Sequence, residues 1–200
     1  MTTATEQARN AFGKRGGTMS TGEALAAGIH PRTLYAMRDA GDLEPLSRGV
    51  YRLAGLPPLR EPDLATVAKR VPHGVVCLIS ALAFHGLTTQ IPHEVHLALP
   101  RTARTPSLEY PPLHVFRFSE QAFAVGIETH SLDGVPVRIY GPEKTLADCF
   151  KFRNKIGLDV ALESLKIHCK RRRPQFQKVL EFARTCRVEK ILRPYLEASV

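Results

Sequence analysis

Residues 19–53 read MSTGEALAAGIHPRTLYAMRDAGDLEPLSRGVYRL, and this stretch decides the fold of the N-terminal part of the chain. Ser20 and Glu23 have the spacing of a capping box, in which each side chain accepts a hydrogen bond from the backbone N–H of the other residue. Gly28 can adopt the left-handed conformation that commonly ends a helix. The pattern therefore predicts a short helix between Ser20 and Gly28.

A second helix and a β-hairpin follow directly. Pro31 suits the first turn of a helix, and Gly41 suits its end. Apolar residues at helical spacing form its inward face: Leu34, Met37 and Ala40. Two short strand-type runs, 43–46 and 50–53, flank a turn whose glycine can supply a positive φ. Two helices joined by a tight turn and followed by a hairpin have the element order of a winged helix-turn-helix.

Double-stranded DNA is the partner that this motif predicts. The second helix of a helix-turn-helix enters the major groove with its N-terminal residues toward the base edges. The residues predicted to contact DNA from this domain are Arg32, Thr33, Tyr35, Arg38, Arg48 and Arg52. The residues expected at base edges are Arg32, Thr33, Tyr35 and Ala36. Arg38 and Arg48 are expected at phosphates, and Arg52 at the backbone or minor groove. A surface helix that binds protein is the alternative.

Composition is that of an ordinary globular protein rather than a disordered chain. The 200 residues are 44% hydrophobic and 24% charged, which permits one large or two small cores. The chain has neither a long uncharged apolar window nor the features of a signal peptide at its N-terminus, so we expect a cytoplasmic protein without membrane contact. Its four cysteines form no CxxC pair, which argues against a zinc knuckle or redox motif.

The positive charge lies mainly outside the predicted winged helix. The chain has a net charge of +9, whereas residues 1–58 contain 7 basic and 5 acidic residues. Residues 143–178 contain 10 basic and 4 acidic residues, including the run Lys170, Arg171, Arg172 and Arg173. We predict that this run contacts DNA phosphates; a solvated helix end, where cations suit the helix dipole, is the alternative.

The chain after the first domain is predicted to be α+β. The segment Ala54–Pro58 indicates a boundary between a domain at 1–55 and a second domain at 59–200. Strands are predicted at 75–79, 94–99, 113–118, 128–132 and 135–140. Helices are predicted at 62–70, 80–86, 142–151, 158–171 and 174–185, with a last one ending near 197. Ser80 is expected to cap the helix at 80–86. Strands followed by helices indicate a small mixed or antiparallel sheet with several C-terminal helices.

No catalytic residue, metal or cofactor is predicted. The spacing of a phosphate-binding GxxxxGK[ST] loop is absent, and no nucleophile elbow surrounds Ser80. His93 and His96 straddle the start of a strand and should not share a face. A metal site that combines them with Cys77 and His85 remains an alternative supported only by proximity in sequence.

Three segments together resemble the AbiEi family, the antitoxins of type IV abortive-infection toxin–antitoxin systems. They are residues 20–53 ending in SRGVYRL, the segment SALAFHGL at 80–87, and VRIYGPEKTLAD at 137–148. The strand that enters a helix through PEKTLAD is the most specific of the three. The likeness spans nearly the whole chain.

The resemblance implies an antitoxin and repressor of its own operon. Expected partners are the promoter DNA of that operon, with repeated half-sites, and a nucleotidyltransferase-like toxin. A monomer or weak dimer is expected in solution. Neutralisation is left open between an indirect effect, direct toxin binding and modification of the toxin, for instance by phosphorylation. Since the chain lacks a glycine-rich phosphate loop and kinase HRD or DFG motifs, the enzymatic alternative depends on the resemblance alone.

Overall fold

The computed structural model describes residues 3–199, which fold into two compact units. The first unit comprises the chain up to Pro72 together with Pro106–Pro111 and His130–Val137, and the second comprises His73–Thr105, Pro112–Thr129 and the chain from Arg138 onward. Within residues 3–199, no helix is long and apolar enough to cross a membrane.

The first unit contains the predicted winged helix-turn-helix. Its elements in chain order are α1 (Ala4–Gly13), β1 (Thr18–Ser20), α2 (Thr21–Ala26), α3 (Pro31–Asp39), β2 (Leu43–Ser47), β3 (Val50–Leu53) and α4 (Pro62–Arg70). The helix α1 was not predicted, although Thr3 and Glu6 form a complete capping box at its start. The α+β fold with an N-terminal winged helix is confirmed.

A three-stranded antiparallel sheet supports the helices of this unit. Its strand order is β1-β3-β2, so the central strand β3 is hydrogen-bonded on both sides. The helices pack against the sheet through a hydrophobic core. It includes the fully buried Phe12, Met19, Leu34, Met37 and Leu43. Because Leu34 and Met37 are anchored there, the opposite face of α3 is turned outward.

The helix α4 belongs to the first unit. The sequence assigned residues 62–70 to the second domain, because the segment Ala54–Pro58 resembles a linker. In the structure α4 contacts all three strands of the first sheet and buries Leu64 and Val67. The first stretch of this unit therefore continues to Pro72 rather than stopping at the proline-rich segment. Burial of an amphipathic helix, which local composition does not reveal, accounts for the difference.

The remaining strands form a mixed five-stranded sheet, and most of its residues lie in the second unit. Its strands are β4 (Val75–Val76), β5 (Val95–Pro100), β6 (Leu113–Phe118), β7 (Ile127–Leu132) and β8 (Val135–Tyr140). The strand order is β6-β5-β4-β8-β7. The pairs β5·β6 and β4·β8 are parallel, whereas β4·β5 is antiparallel. The prediction of a small mixed sheet is confirmed.

Seven helices complete this part of the described chain. They are α5 (Leu78–Phe84), α6 (Glu120–Ala124), α7 (Pro142–Lys151), α8 (Arg153–Ile156), α9 (Leu158–Cys169), α10 (Phe176–Thr185) and α11 (Glu189–Glu197). The helix α7, which contains PEKTLAD, contacts α5, α9, α10 and α11. It is therefore the central helix of the bundle, and all its residues from Lys144 to Phe150 are buried.

The expected N-cap at Ser80 is wrong. The helix α5 begins earlier, with Cys77 at the N-cap position and without a capping side chain. Ser80 lies inside the helix, where its Oγ donates to the Glu94 carbonyl oxygen (3.3 Å) and accepts from the His96 N–H (2.9 Å). The serine ties α5 to β5, because a buried hydroxyl needs partners and the strand supplies them.

Candidate nucleic-acid interface

The start of α3 is fixed by local hydrogen bonding and by proline. His30 is the N-cap, and its Nδ1 accepts a hydrogen bond from the Arg32 N–H at 3.2 Å. Pro31 occupies the first turn of the helix, where a backbone N–H would have no partner within the helix, so its absence costs no hydrogen bond. These contacts hold Arg32 at the exposed N-terminal end of the helix.

The outward face of α3 carries four of the predicted contact residues. Arg32 is exposed, Thr33 is half-buried, and Tyr35 is 41% exposed. Arg38, one turn further on, is exposed; its guanidinium lies 5.1 Å from the Tyr35 ring centroid and 2.8 Å from an Asp39 carboxylate oxygen. A polar, positively charged face therefore stands opposite the buried Leu34 and Met37.

The wing places one further arginine beside the C-terminal half of α3. Arg48 is exposed at the hairpin turn, next to Gly49 with φ +77°. A groove of about 710 Å³ in the first unit is lined by Tyr35, Arg38, Arg48 and also Arg70. Residues Ser107–Tyr110 line the same groove, and Glu109 is its acidic member. The structure thus brings together cations from α3, the wing and α4.

Sequence reasoning missed Arg70. This residue is exposed at the C-terminal end of α4, and its Nη1 lies close to Gly49 in the wing turn. The signal was a basic residue in the last turn of a predicted helix, a position that the helix dipole alone would explain. Its proximity to the wing depends on the packing of α4 against the sheet.

Arg52 lies elsewhere than predicted. It is only 6% exposed, and its guanidinium donates to Thr18 Oγ1 (3.2 Å) and to the Pro57 carbonyl oxygen (2.8 Å). Because these bonds satisfy a buried cation internally, Arg52 acts as a structural link between β1, β3 and the following segment. Its guanidinium is buried within the first unit and is not exposed beside Arg32 or Arg48.

A partly buried ion pair stabilises α2, the first helix of the motif. Ser20 and Glu23 form the predicted capping box, with distances of 2.7 Å and 3.2 Å. Glu23 Oε1 also lies 2.9 Å from Nζ of Lys69, whose side chain is 6% exposed. Burial by itself raises the pKa of Glu23, but the hydrogen bonds from Ser20 and Lys69 outweigh it and lower that pKa. The carboxylate therefore joins α2 to α4 in its charged form.

The basic run at 170–173 lies in the second unit, after α9. Lys170 is the C-cap residue of that helix. Lys170, Arg172 and Arg173 are exposed, whereas Arg171 is partly buried and donates to the carbonyl oxygen of His85. Three of the four predicted cations are thus available to a polyanion, and Arg171 is tied to the turn after α5.

A second concentration of ionisable groups surrounds the buried helix α7. Lys144 Nζ lies 2.7 Å and 2.6 Å from the two carboxylate oxygens of Asp148, and both side chains are 0% exposed. The ammonium also lies 4.1 Å from the ring centroid of Tyr140, and Asp148 accepts from the Cys186 thiol at 3.3 Å. Burial raises the pKa of Asp148, an effect that Lys144 only partly offsets.

Asp148 also lines a cavity of about 350 Å³ in the second unit. Four cationic residues surround it: Arg101, Arg117, Lys151 and Arg187. Arg117 is held in place by hydrogen bonds to the Ala103 carbonyl oxygen (2.7 Å) and Thr105 Oγ1 (2.6 Å). The excess of cations at the rim favours an anionic occupant.

The N-terminal segment is similar to a known protein family. Residues 6–54 match the family model described as transcriptional regulator, AbiEi antitoxin. The matched segment runs from α1 through the wing and agrees with the resemblance drawn from the sequence. The segments at 80–87 and 137–148 lie outside it. No curated protein matches the chain by sequence.

A solved structure extends the comparison to the whole fold. The chain is similar to the crystal structure of the Rv2827c protein from Mycobacterium tuberculosis, with a TM-score of 0.53 and 14% sequence identity. The alignment covers 98% of this chain and 82% of that chain. At this identity the likeness concerns the fold alone, and it includes both compact units.

Proposed function

We propose that the protein is a DNA-binding antitoxin that represses its own operon. The observation that carries the proposal is the exposed polar face of α3 beside an arginine-bearing wing, within a segment that matches antitoxin regulators. In this arrangement α3 enters the major groove, and Arg32, Thr33 and Tyr35 face the base edges. Arg38, Arg48 and Arg70 contact phosphates on either side.

Binding to the operon's own upstream region tests the assignment. Fluorescence anisotropy over a salt series should show tighter binding to that region than to a scrambled duplex of equal length. Arg32→Ala and Thr33→Ala should each reduce this preference, by about 1–3 kcal/mol where a bidentate base contact is lost. Lys190→Ala, which removes an exposed cation from α11, is the matched control. Equal affinity for both duplexes would contradict the proposal.

The phosphate contacts have a different signature. Arg48→Ala and Arg70→Ala should weaken binding to both duplexes alike and lower the slope of log K against log salt by about 1 each. A loss confined to the specific duplex would instead place these arginines at bases. The same measurement on a variant with Lys170, Arg172 and Arg173 all changed to Ala decides whether the run after α9 adds phosphate contacts.

The toxin partner is proposed to be a nucleotidyltransferase-like protein encoded beside the antitoxin. Coexpression should restore growth to cells that express this toxin. If the second unit binds the toxin directly, the two proteins should elute together on a sizing column, and the basic-run variant should weaken that complex without loss of α3-dependent DNA selectivity. Growth restored without a complex would favour an indirect effect.

The cation-lined cavity beside Asp148 favours a second candidate, an enzyme that modifies the toxin with a nucleotide as donor. Four cationic residues at the rim suit a triphosphate. Purified protein, nucleoside triphosphate and Mg²⁺ should then add mass to the toxin, and Arg187→Ala should reduce the added mass. An unmodified toxin under conditions that restore growth would eliminate this candidate.

A further inference from the structure

Two histidines from different strands meet at one edge of the sheet in the second unit. The strands β5 and β6 run parallel, and their register places His96 directly opposite His114. The side chains of opposed residues lie on the same face of a sheet, and the two ring centroids are 5.4 Å apart. The edge position of β6 leaves His114 exposed, whereas His96 is buried.

A carboxylate from the residue just before β5 completes the group. Glu94 lies two residues before His96, and alternation along the chain directs it to the same face. Its Oε1 is 2.8 Å from His114 Nδ1 and 3.6 Å from His96 Nε2. One donor atom from each of the three residues lies within 4.8 Å of the other two.

We propose that Glu94, His96 and His114 bind a divalent transition-metal ion, with Zn²⁺ as the best match. Imidazole nitrogen and carboxylate oxygen are ligands that Zn²⁺ accepts at about 2.0–2.2 Å. Tetrahedral bonds of this length hold donor atoms about 3.3 Å apart, so small rotations of the side chains bring the three donors to bonding distance. Water or a partner's side chain takes the fourth position.

The surroundings of the cluster restrict its freedom. His114 stacks on Phe116 with 4.5 Å between ring centroids, which limits rotation of the exposed ring. His96 Nδ1 lies 3.4 Å from the Ile79 N–H, a long contact. Metal binding through Nε2 moves the ring proton of His96 to Nδ1, so this contact is given up. Ser80 Oγ holds the backbone at both Glu94 and His96, so the strand is already positioned.

The three side chains are better explained as metal ligands than as a group held together only by hydrogen bonds. The hydrogen bond between Glu94 and His114 involves only two of the residues. The buried His96 also directs its Nε2 toward the Glu94 carboxylate, so a third ligand atom lies at the same place. The preference order of divalent metals places Cu²⁺ and Zn²⁺ above Mn²⁺ and Fe²⁺ for such nitrogen-rich sites. Mg²⁺ and Ca²⁺, which prefer all-oxygen ligands, are poor matches.

Metal titration of the full chain tests this site. The protein, first stripped with a chelator, should bind one Zn²⁺ per chain in calorimetry and should show a higher melting temperature with Zn²⁺ than with Mg²⁺. His114→Ala and Glu94→Gln should each weaken Zn²⁺ binding at least about tenfold. His93→Ala, which removes an exposed neighbouring histidine, is the matched control and should bind as the wild type does.

Co²⁺ gives an independent readout, because its visible absorption reports the coordination geometry. The wild type and His93→Ala should give the intense bands of a tetrahedral site, and the His114→Ala spectrum should resemble that of free Co²⁺. Circular dichroism shows whether each variant is folded. If His114→Ala does not fold, Glu94→Gln replaces it in the test, because glutamine keeps the shape of the side chain. The proposal is overturned if the stripped protein binds less than one Zn²⁺ per chain, or if all variants bind equally.

Discussion

Removing one partner of the buried ion pair in the PEKTLAD helix should strongly destabilise the second unit. Lys144 and Asp148 are both fully buried, and the ammonium lies within 2.7 Å of both carboxylate oxygens. Lys144→Met removes the cation but keeps a similar volume, so the Asp148 carboxylate is left in the interior with the weak Cys186 thiol donor. Breaking such a pair from one side costs about 3–5 kcal/mol, because an uncompensated charge remains.

The expected cost can be followed in a melting temperature. At roughly 2–4 °C per kcal/mol for a chain of this size, Lys144→Met should lower the melting temperature by about 6–20 °C. The double variant Lys144→Met with Asp148→Leu also removes the carboxylate that Lys144→Met alone leaves without a cation. The double variant should therefore be more stable than Lys144→Met alone, which is the opposite of additivity.

Urea unfolding followed by circular dichroism measures these differences. The exposed Lys151, on the same helix, provides the control: Lys151→Met should change the unfolding free energy by less than about 0.5 kcal/mol. If Lys144→Met costs no more than this control, or if the double variant loses the sum of its single changes, the inference that the pair is a coupled internal charge is refuted.

Four further substitutions test the first unit. Folding lowers the pKa of Glu23, so the stability that its charge contributes should be fully present above the ordinary pKa of 4.5 and should be lost as the pH falls through the lower pKa of the folded state. Glu23→Gln should therefore make the unfolding free energy depend less on pH in that range. Gly28→Ala should cost about 1–2 kcal/mol for its left-handed backbone, and Gly16→Ala should cost more in the same urea titration, because its new Cβ lies only 2.6 Å from backbone. Arg52→Lys should lower the melting temperature, since one ammonium cannot replace the two guanidinium donors. The folded variant should keep the DNA selectivity of the wild type. A loss of selectivity at unchanged stability would count against a structural role for Arg52.

Local signals were sufficient for the winged helix. The capping box of Ser20 and Glu23, the proline at the start of α3 and the glycine turn of the wing act between residues close in sequence. Because these signals are local, the bounds of α2, α3 and the hairpin were predicted within a residue or two, although helices this short depend on tertiary packing for their stability. The exposed face of α3 follows from the same periodicity.

Burial decided what local signals left open. Lys144 and Asp148 are four residues apart, a spacing typical of solvent-exposed ion pairs on a helix surface. They are internal because four other helices cover α7. Arg52 stands on a strand whose apolar neighbours are equally compatible with an exposed cation. Its bond to Pro57 depends on the path of the chain after the hairpin.

The amino-acid sequence by itself determined the type of domain at the N-terminus, the α+β class and the residues on the outward face of α3, because each depends on contacts within a few residues. Tertiary structure alone decided that α4 brings Arg70 beside the wing and that α7 is buried. It also decided that His96 meets His114, since the register of two parallel strands is set by packing of the whole sheet and not by the residues between them.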